Sequence, residues 1–112
     1  MSEARLKTEV LVQAGFRYCQ QALLAAALRR RGDSDAGALL VKVSRLDGTA
    51  AVFARTQSLD GDLTWRRATG EGWIPEDDAE ARLAREIDFD PDVWIVEVED
   101  PEGRNPFATL TG

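Results

Sequence analysis

The sequence predicts an α+β fold: a mostly antiparallel sheet built on a central β-meander, with one helix near each end of the chain. The expected element order is roughly β-α-β-β-β-β-α-β. Three observations predict it. Ala38–Leu46 and Thr49–Thr56 alternate in side-chain character on either side of Asp47-Gly48, the strongest short hairpin signal a sequence offers. Val93–Glu99 alternates as a separate strand. Ala79, Leu83 and Ile87 recur at intervals of four, the apolar stripe of an amphipathic helix over Glu76–Ile87.

Taken in order, Leu6–Val12 reads as a strand with Thr8, Val10 and Val12 on one face. Gln13–Ala22 reads as a helix that Gly15 weakens. Ala22–Arg31 is open to two readings. Propensity continues the helix to Arg31 with Gly32 as its C-cap; the alternative is a buried strand from about Leu24 to Arg30. Gly32–Gly37 is a loop, with Asp33 and Asp35 suited to Asx turns and the two glycines to positive φ.

In the hairpin, Leu39, Val41 and Val43 share one face, and Leu40, Lys42 and Ser44 the other. On the return strand, Ala51, Phe53 and Arg55 oppose Ala50, Val52 and Ala54. Asp60-Gly61 marks a second turn. Leu63–Thr69 forms a third antiparallel strand with Trp65 inward, and Gly70-Glu71-Gly72 closes the meander. Pro75 suits the first turn of the next helix, and Glu76, Asp77 and Asp78 complement its positive end. After Asp90-Pro91-Asp92, Trp94, Val96 and Val98 face one way and Ile95, Glu97 and Glu99 the other. Residues 1–112 are expected to form a single domain, with 105–112 a loosely held tail.

Composition restricts the chemistry. The chain has no histidine and one cysteine, Cys19. That removes the commonest general base, the Ser-His and Cys-His nucleophile pairs, and Cys-type zinc sites. No apolar run reaches the ~20 residues of a membrane span, and no signal-peptide h-region opens the chain, so a cytoplasmic protein without membrane contact is expected. The net charge of −6 is unevenly divided: residues 1–70 carry +4 and residues 71–112 carry −10. Either the two halves face each other within one fold, or an acidic surface meets a basic partner. Nucleic acid is not an expected partner of so acidic a chain.

The chain resembles a family of uncharacterised bacterial proteins, domain of unknown function 1491. The resemblance is carried by Arg-Leu-Lys-Thr-Glu-Val-Leu-Val near the start, Arg30-Arg31-Gly32-Asp33 and Ala36-Gly37-Ala38. Val41-Lys42-Val43 and Arg45-Leu46-Asp47-Gly48-Thr49-Ala50-Ala51 continue it, and Asp90–Asp100 closes it. It implies a compact α+β fold in which the segment before the arginine run is a strand. It implies no activity.

One candidate ligand site stands out. Arg30, Arg31, Asp33, Gly37 and Lys42, within Arg29–Leu46, combine guanidinium groups with a glycine turn and would bind an anion. Against this, the arginines have Asp33, Asp35 and the acidic half to pair with. No catalytic residue, cofactor or metal site is expected. Asp88, Asp90 and Asp92 lack EF-hand spacing and read as a turn, and Cys19 as a buried thiol. Trp65, Trp73 and Trp94 read as packing residues. The leading functional expectation is a non-enzymatic interaction or ligand-binding module that pairs with itself or an unknown protein through a sheet edge or its charged surfaces. The alternative is a small enzyme or binding protein for an anionic metabolite, in which Arg30 and Arg31 clamp the anion and Asp33 or Asp35 is the base.

Overall fold

The structure, a computed structural model, describes residues 7–35, 37–57 and 63–111. It is α+β. The elements are α1 (Thr8–Gln21), β1 (Ala25–Arg30), β2 (Leu39–Ser44), β3 (Thr49–Gln57), β4 (Leu63–Arg67), β5 (Ile74–Pro75), α2 (Glu76–Phe89), β6 (Trp94–Glu99) and α3 (Pro106–Thr111). The sheet order is β1-β6-β2-β3-β4, with β5 pairing the far end of β3. All pairings are antiparallel except β2 with β6, which are parallel, the chain between them running through β3, β4, β5 and α2.

The sheet lies between two helical layers, and the alternation along its strands assigns each side chain to one of them. On one side, Leu39, Val41, Val43, Trp94, Val96 and Val98 pack against Leu11, Val12 and Cys19 of α1 and Phe107 of α3. On the other, Leu40, Ala50, Val52, Ala54 and Ile95 pack against Ala79 and Leu83 of α2, with Ile87 alongside. Both face assignments expected for the hairpin and for β6 hold, as does the α2 stripe. The Asp47-Gly48 turn holds as well. Gly48 has φ of 88° and Leu46 φ of 66°, and the Asp47 carboxylate accepts from the Thr49 amide at 3.0 Å and hydroxyl at 2.6 Å. The expected Asp60-Gly61 turn lies outside the described residues.

Three expectations are corrected. Thr8–Val12 is not a strand but the first turns of α1. The buried residues Thr8, Leu11, Val12, Gly15 and Cys19 recur at helical spacing, so the stripe that meets the core overrides the β-branched alternation at its start. The 105–112 segment is not a loose tail over its described length. It forms α3, whose fully buried Phe107 stacks edge-on to Phe16, 6.1 Å between centroids. Gly15 makes room for that ring, since a Cβ there would lie 2.0 Å from Phe107 Cε2. Finally, Gly32 and Gly37 do not adopt positive φ. They admit the backbone of Asp92, whose carbonyl oxygen would meet an added Cβ at 2.2 and 2.6 Å respectively.

Of the two readings left open for 22–31, the strand holds, and α1 ends by a Schellman-type turn. The Leu24 amide donates to the Cys19 carbonyl at 2.8 Å while Leu23 takes the left-handed conformation, φ 60°, that glycine adopts without strain. The turn stops the helix despite the good helix formers that follow, and releases the chain to pair with β6.

Two outcomes follow from these termini. Phe107→Ala is expected to lose about 3–5 kcal/mol by chemical denaturation, whereas loss of a loose tail would cost nothing measurable. Leu23 is 91% exposed, so Leu23→Gly forfeits little burial and is expected to stabilise by about 1 kcal/mol in the same assay.

Candidate functional site

The described residues of the arginine–glycine loop are anchored at several points. The Thr8 hydroxyl donates to the Gly37 carbonyl at 2.7 Å, and the Glu9 amide to Ser34 O at 3.1 Å. The Asp33 amide donates to Asp92 O at 3.0 Å, and the Asp33 carbonyl accepts from Trp94 Nε1 at 2.6 Å. Arg30 donates to the Pro91 carbonyl at 2.5 Å. Arg31 pairs with Glu9 and lies 5.1 Å over the Trp94 ring, on the α1 side. Asp35 meets Lys7 at 3.5 Å in solvent. Lys42 stands on the opposite face of the sheet, under α2. The five candidate residues Arg30, Arg31, Asp33, Gly37 and Lys42 are therefore not brought together. At Asp33 and Gly37 it is the backbone that makes these contacts.

What the structure does bring together is a charge cluster on the α2 side. Lys42 comes from a strand buried along its whole length, and its side chain is 4% exposed. Its ammonium lies 2.7 Å from Glu76, 2.5 Å from Glu80 and 3.6 Å from Glu97. Arg29 spans the cluster from β1, bonding Glu97 at 2.7 Å and Glu80 at 2.8 Å, and the Ser44 hydroxyl donates to Glu76. Glu76 and Glu80 reach it because four residues return a helix to the same face. Glu97 does so because it is the register partner of Lys42 across β2–β6. Arg29 does so because a bulge between Leu28 and Arg30 interrupts the β1–β6 register at that residue.

Two cations and three carboxylates meet in this cluster, and the charges of Lys42, Glu76 and Glu80 support one another. Burial alone would lower the Lys42 pKa, but the hydrogen bonds to Glu76 and Glu80 and the Glu97 charge outweigh it and raise the value. The Arg29 hydrogen bond, with Lys42 behind it, depresses Glu80 to about 2. Burial works against Glu76, yet its bonds to Lys42 and Ser44 bring it below the ordinary range. Lys42, Glu76 and Glu80 are thus held away from the neutral range where an acid–base catalyst is poised. Elsewhere, Asp90 caps a turn by accepting from the Asp92 amide at 3.0 Å. The Cys19 thiol is buried and its pKa pushed up. Among the described residues, no group of acidic or sulfur ligands is placed to hold a metal ion.

Beside the cluster lies an open element. β1 hydrogen-bonds to β6 on one side only and ends the sheet on the other. Ala25, Ala26 and Ala27, with Glu97 and Glu99, line a shallow depression of about 250 Å³ against it. Leu28, on the α1 side of the same edge, is 44% exposed. Sequence reasoning reached the strand, but not that it would be outermost, because strand order is set by long-range pairing.

Several solved structures resemble this one. A crystal structure of a DUF1491 family protein from Caulobacter crescentus CB15 superposes with a TM-score of 0.80 at 38% identity, covering 94% of this chain and 96% of that one. An NMR structure of a DUF1491 family protein from the same organism gives 0.81 at 37%, covering 96% of both. The solution structure of protein Atu0922 from A. tumefaciens gives 0.73 at 27%, covering 86% of both. The family model described as protein of unknown function (DUF1491) matches residues 6–108. No curated protein matches the chain.

The cluster predicts a pH signature. Lys42→Met keeps an unbranched stem and removes the charge that Glu76 and Glu80 share. It is expected to cost about 3 kcal/mol at pH 7 in urea denaturation. In the native chain the depressed Glu76 and Glu80 contribute stability above the ordinary carboxylate value of 4.5, and that contribution fades as pH falls toward about 2. Without Lys42 there is less to lose, so the gap between variant and wild type narrows as pH is lowered from 7 to about 3.

Proposed function

We propose that this chain, which belongs to the DUF1491 family of proteins of unknown function, is a non-enzymatic interaction module of the bacterial cytoplasm that pairs with a second copy of itself through the free edge of β1. The observation that carries this reading is the edge. Sheet proteins blunt exposed edges with proline, lysine or a covering element. Ala25-Ala26-Ala27-Leu28 has neither residue, and its bulge comes only at Arg29. Three successive alanines leave the backbone groups of the outer side accessible for strand addition.

The second copy supplies a matching strand. With a two-fold axis at Ala27, antiparallel pairing sets Leu28 against Ala26 of the other copy on the α1 side. On the α2 side it sets Arg29 against Ala25, beside Glu99, which has no ion pair among the described residues of its own chain. Apolar thus meets apolar on one face, and cation meets carboxylate on the other. One pair of six-residue strands is small beside the 1,200–2,000 Å² of stable complexes, so the association is weak and concentration-dependent. A cytoplasmic location agrees with a free, buried Cys19 and with the absence, among the described residues, of any helix long and apolar enough to cross a membrane. The anionic-metabolite alternative gains no support from side chains that are already partnered and lie on both faces of the sheet.

Sedimentation velocity from about 10 µM to about 1 mM is expected to show a monomer–dimer equilibrium. Ala27→Lys places two like charges face to face at the two-fold, and the same substitution lies beside Glu97 within its own chain. It is expected to leave the fold intact and abolish the dimer. A folded wild type that stays monomeric throughout, or a variant that dimerises as well as the wild type, refutes the reading.

A further inference from the structure

At the other end of the sheet the α1-side face carries a different surface. On that side α1 packs against β1 and α3, while β3 and β4 present Phe53, Trp65 and Arg67, joined by Trp73 and Arg45. The three aromatic side chains are half-buried against the core. The Arg45 guanidinium lies 4.7 Å from the Trp73 ring centroid. Arg67 lies 4.7 Å from Trp73 and 5.2 Å from Phe53. Significant cation–π contacts occur about once per 70–80 residues, so three on one small face are not incidental surface contacts.

Among the described residues Arg67 has no counter-ion. It rests between two rings and donates to the Gly72 carbonyl at 2.8 Å, its Nε is buried without a partner, and no carboxylate among the described residues reaches it. Arg45, by contrast, meets Asp47 at 3.0 Å. A half-enclosed cation without an anion, in a chain of net charge −6, is an unfilled half of an ion pair.

We infer that this face docks an acidic peptide segment of another protein, one Asp or Glu carboxylate bonding the guanidinium of Arg67. A guanidinium stacked on rings keeps its N–H edge free and planar, the geometry that a carboxylate accepts. Charge complementarity selects a short acidic segment over a nucleic acid on two grounds. Guanidinium groups already lie over Phe53 and Trp73, where bases would stack. Nucleic-acid affinity also comes from several phosphate contacts at once, and one uncompensated cation on an acidic chain does not supply them. This face is remote from β1, so the inference stands or falls independently of the dimer.

The test is an amide-resolved NMR titration of the full chain with three probes: acetylated Glu-Asp-Phe-Asp-Glu, its Gln-Asn-Phe-Asn-Gln counterpart and a thymidine homo-oligonucleotide. The acidic peptide is expected to shift the amides of residues 70–73 and the Trp73 indole, and the neutral one to leave them unmoved. Arg67→Met is expected to weaken binding about tenfold, the loss of one charge-assisted pair. Arg67→Lys keeps the charge but not the planar fork, and is expected to lose less. Unperturbed spectra away from the face verify that both variants fold; should Arg67→Met unfold, the lysine variant and the peptide pair decide alone. Equal shifts from both peptides, no shift from the acidic one, or affinities unchanged in a folded Arg67→Met would overturn the inference. Tighter binding by the oligonucleotide would overturn it in favour of nucleic acid.

Discussion

A lysine in the middle of a fully buried strand is the constraint around which much of this structure is arranged. Lys42 has no route to solvent, so its charge must be met where it stands. The carboxylates that meet it come from α2 and β6, and Arg29 of β1 locks two of them from the outside. Four elements distant in sequence are therefore fixed to one point. Net stability is not the main result. Removing an ammonium from water costs several kcal/mol, and apolar residues of similar volume in place of the whole cluster, rather than of Lys42 alone, would pack there at comparable free energy. What the cluster supplies is position. Ala79 and Leu83 alone would let α2 slide over the small alanine side chains of β3. Lys42 allows only the placement in which Glu76 and Glu80 both reach it.

The same cluster shapes the open edge. The β1–β6 register slips at Arg29, where the guanidinium turns toward Glu80 and Glu97. The regular part of β1 is left as four small or apolar residues with no strand outside them among the described residues. Once those carboxylates are engaged, Glu99 is the acid of the adjoining strand that has no ion pair among the described residues. An open edge with one carboxylate beside it is thus what remains after the internal electrostatics are satisfied.

Elements whose pattern is local were legible in the sequence. The β2–β3 hairpin announced itself through Asp47-Gly48 and alternation on both flanks, and β6 and α2 through their own periods. Where a distant partner decides, local reading failed. Thr8, Val10 and Val12 alternate like a strand, and only the burial of Gly15 and Cys19 two turns later makes the helix the better solution. Phe107 looked like part of a tail because its partner is the missing side chain of Gly15, ninety-two positions earlier. The candidate site suffered in the same way. Arg30, Arg31 and Lys42 were identified as charged residues near a turn, but alternation across the sheet sends Lys42 to one side and loop anchoring sends Arg31 to the other. Glu76 and Glu80 carried no usable signal, since an acidic pair four apart at a helix start reads equally as a wet face complementing the helix dipole.

The uneven charge of the two halves can now be placed. Part of it is internal: Arg29 and Lys42 from the basic half face Glu76, Glu80 and Glu97 from the acidic half across the α2 side. Other cations of the basic half find acids nearby in sequence or space, as Arg31 does with Glu9 and Arg45 with Asp47. Arg67 does neither. It lies near the β4 end of the strand order, three strands from the nearest carboxylate-bearing strand, and aromatic faces take the place of an anion. The rings hold the guanidinium without neutralising it, because a quadrupole attracts a cation and leaves its charge in place. The fold thus satisfies its interior charges and leaves one sign uncompensated at each end of the sheet: Glu99 beside β1 and Arg67 beside β4. Strand addition at β1 extends the sheet away from β4, so a dimer formed there leaves the Arg67 face as open as it is in the monomer.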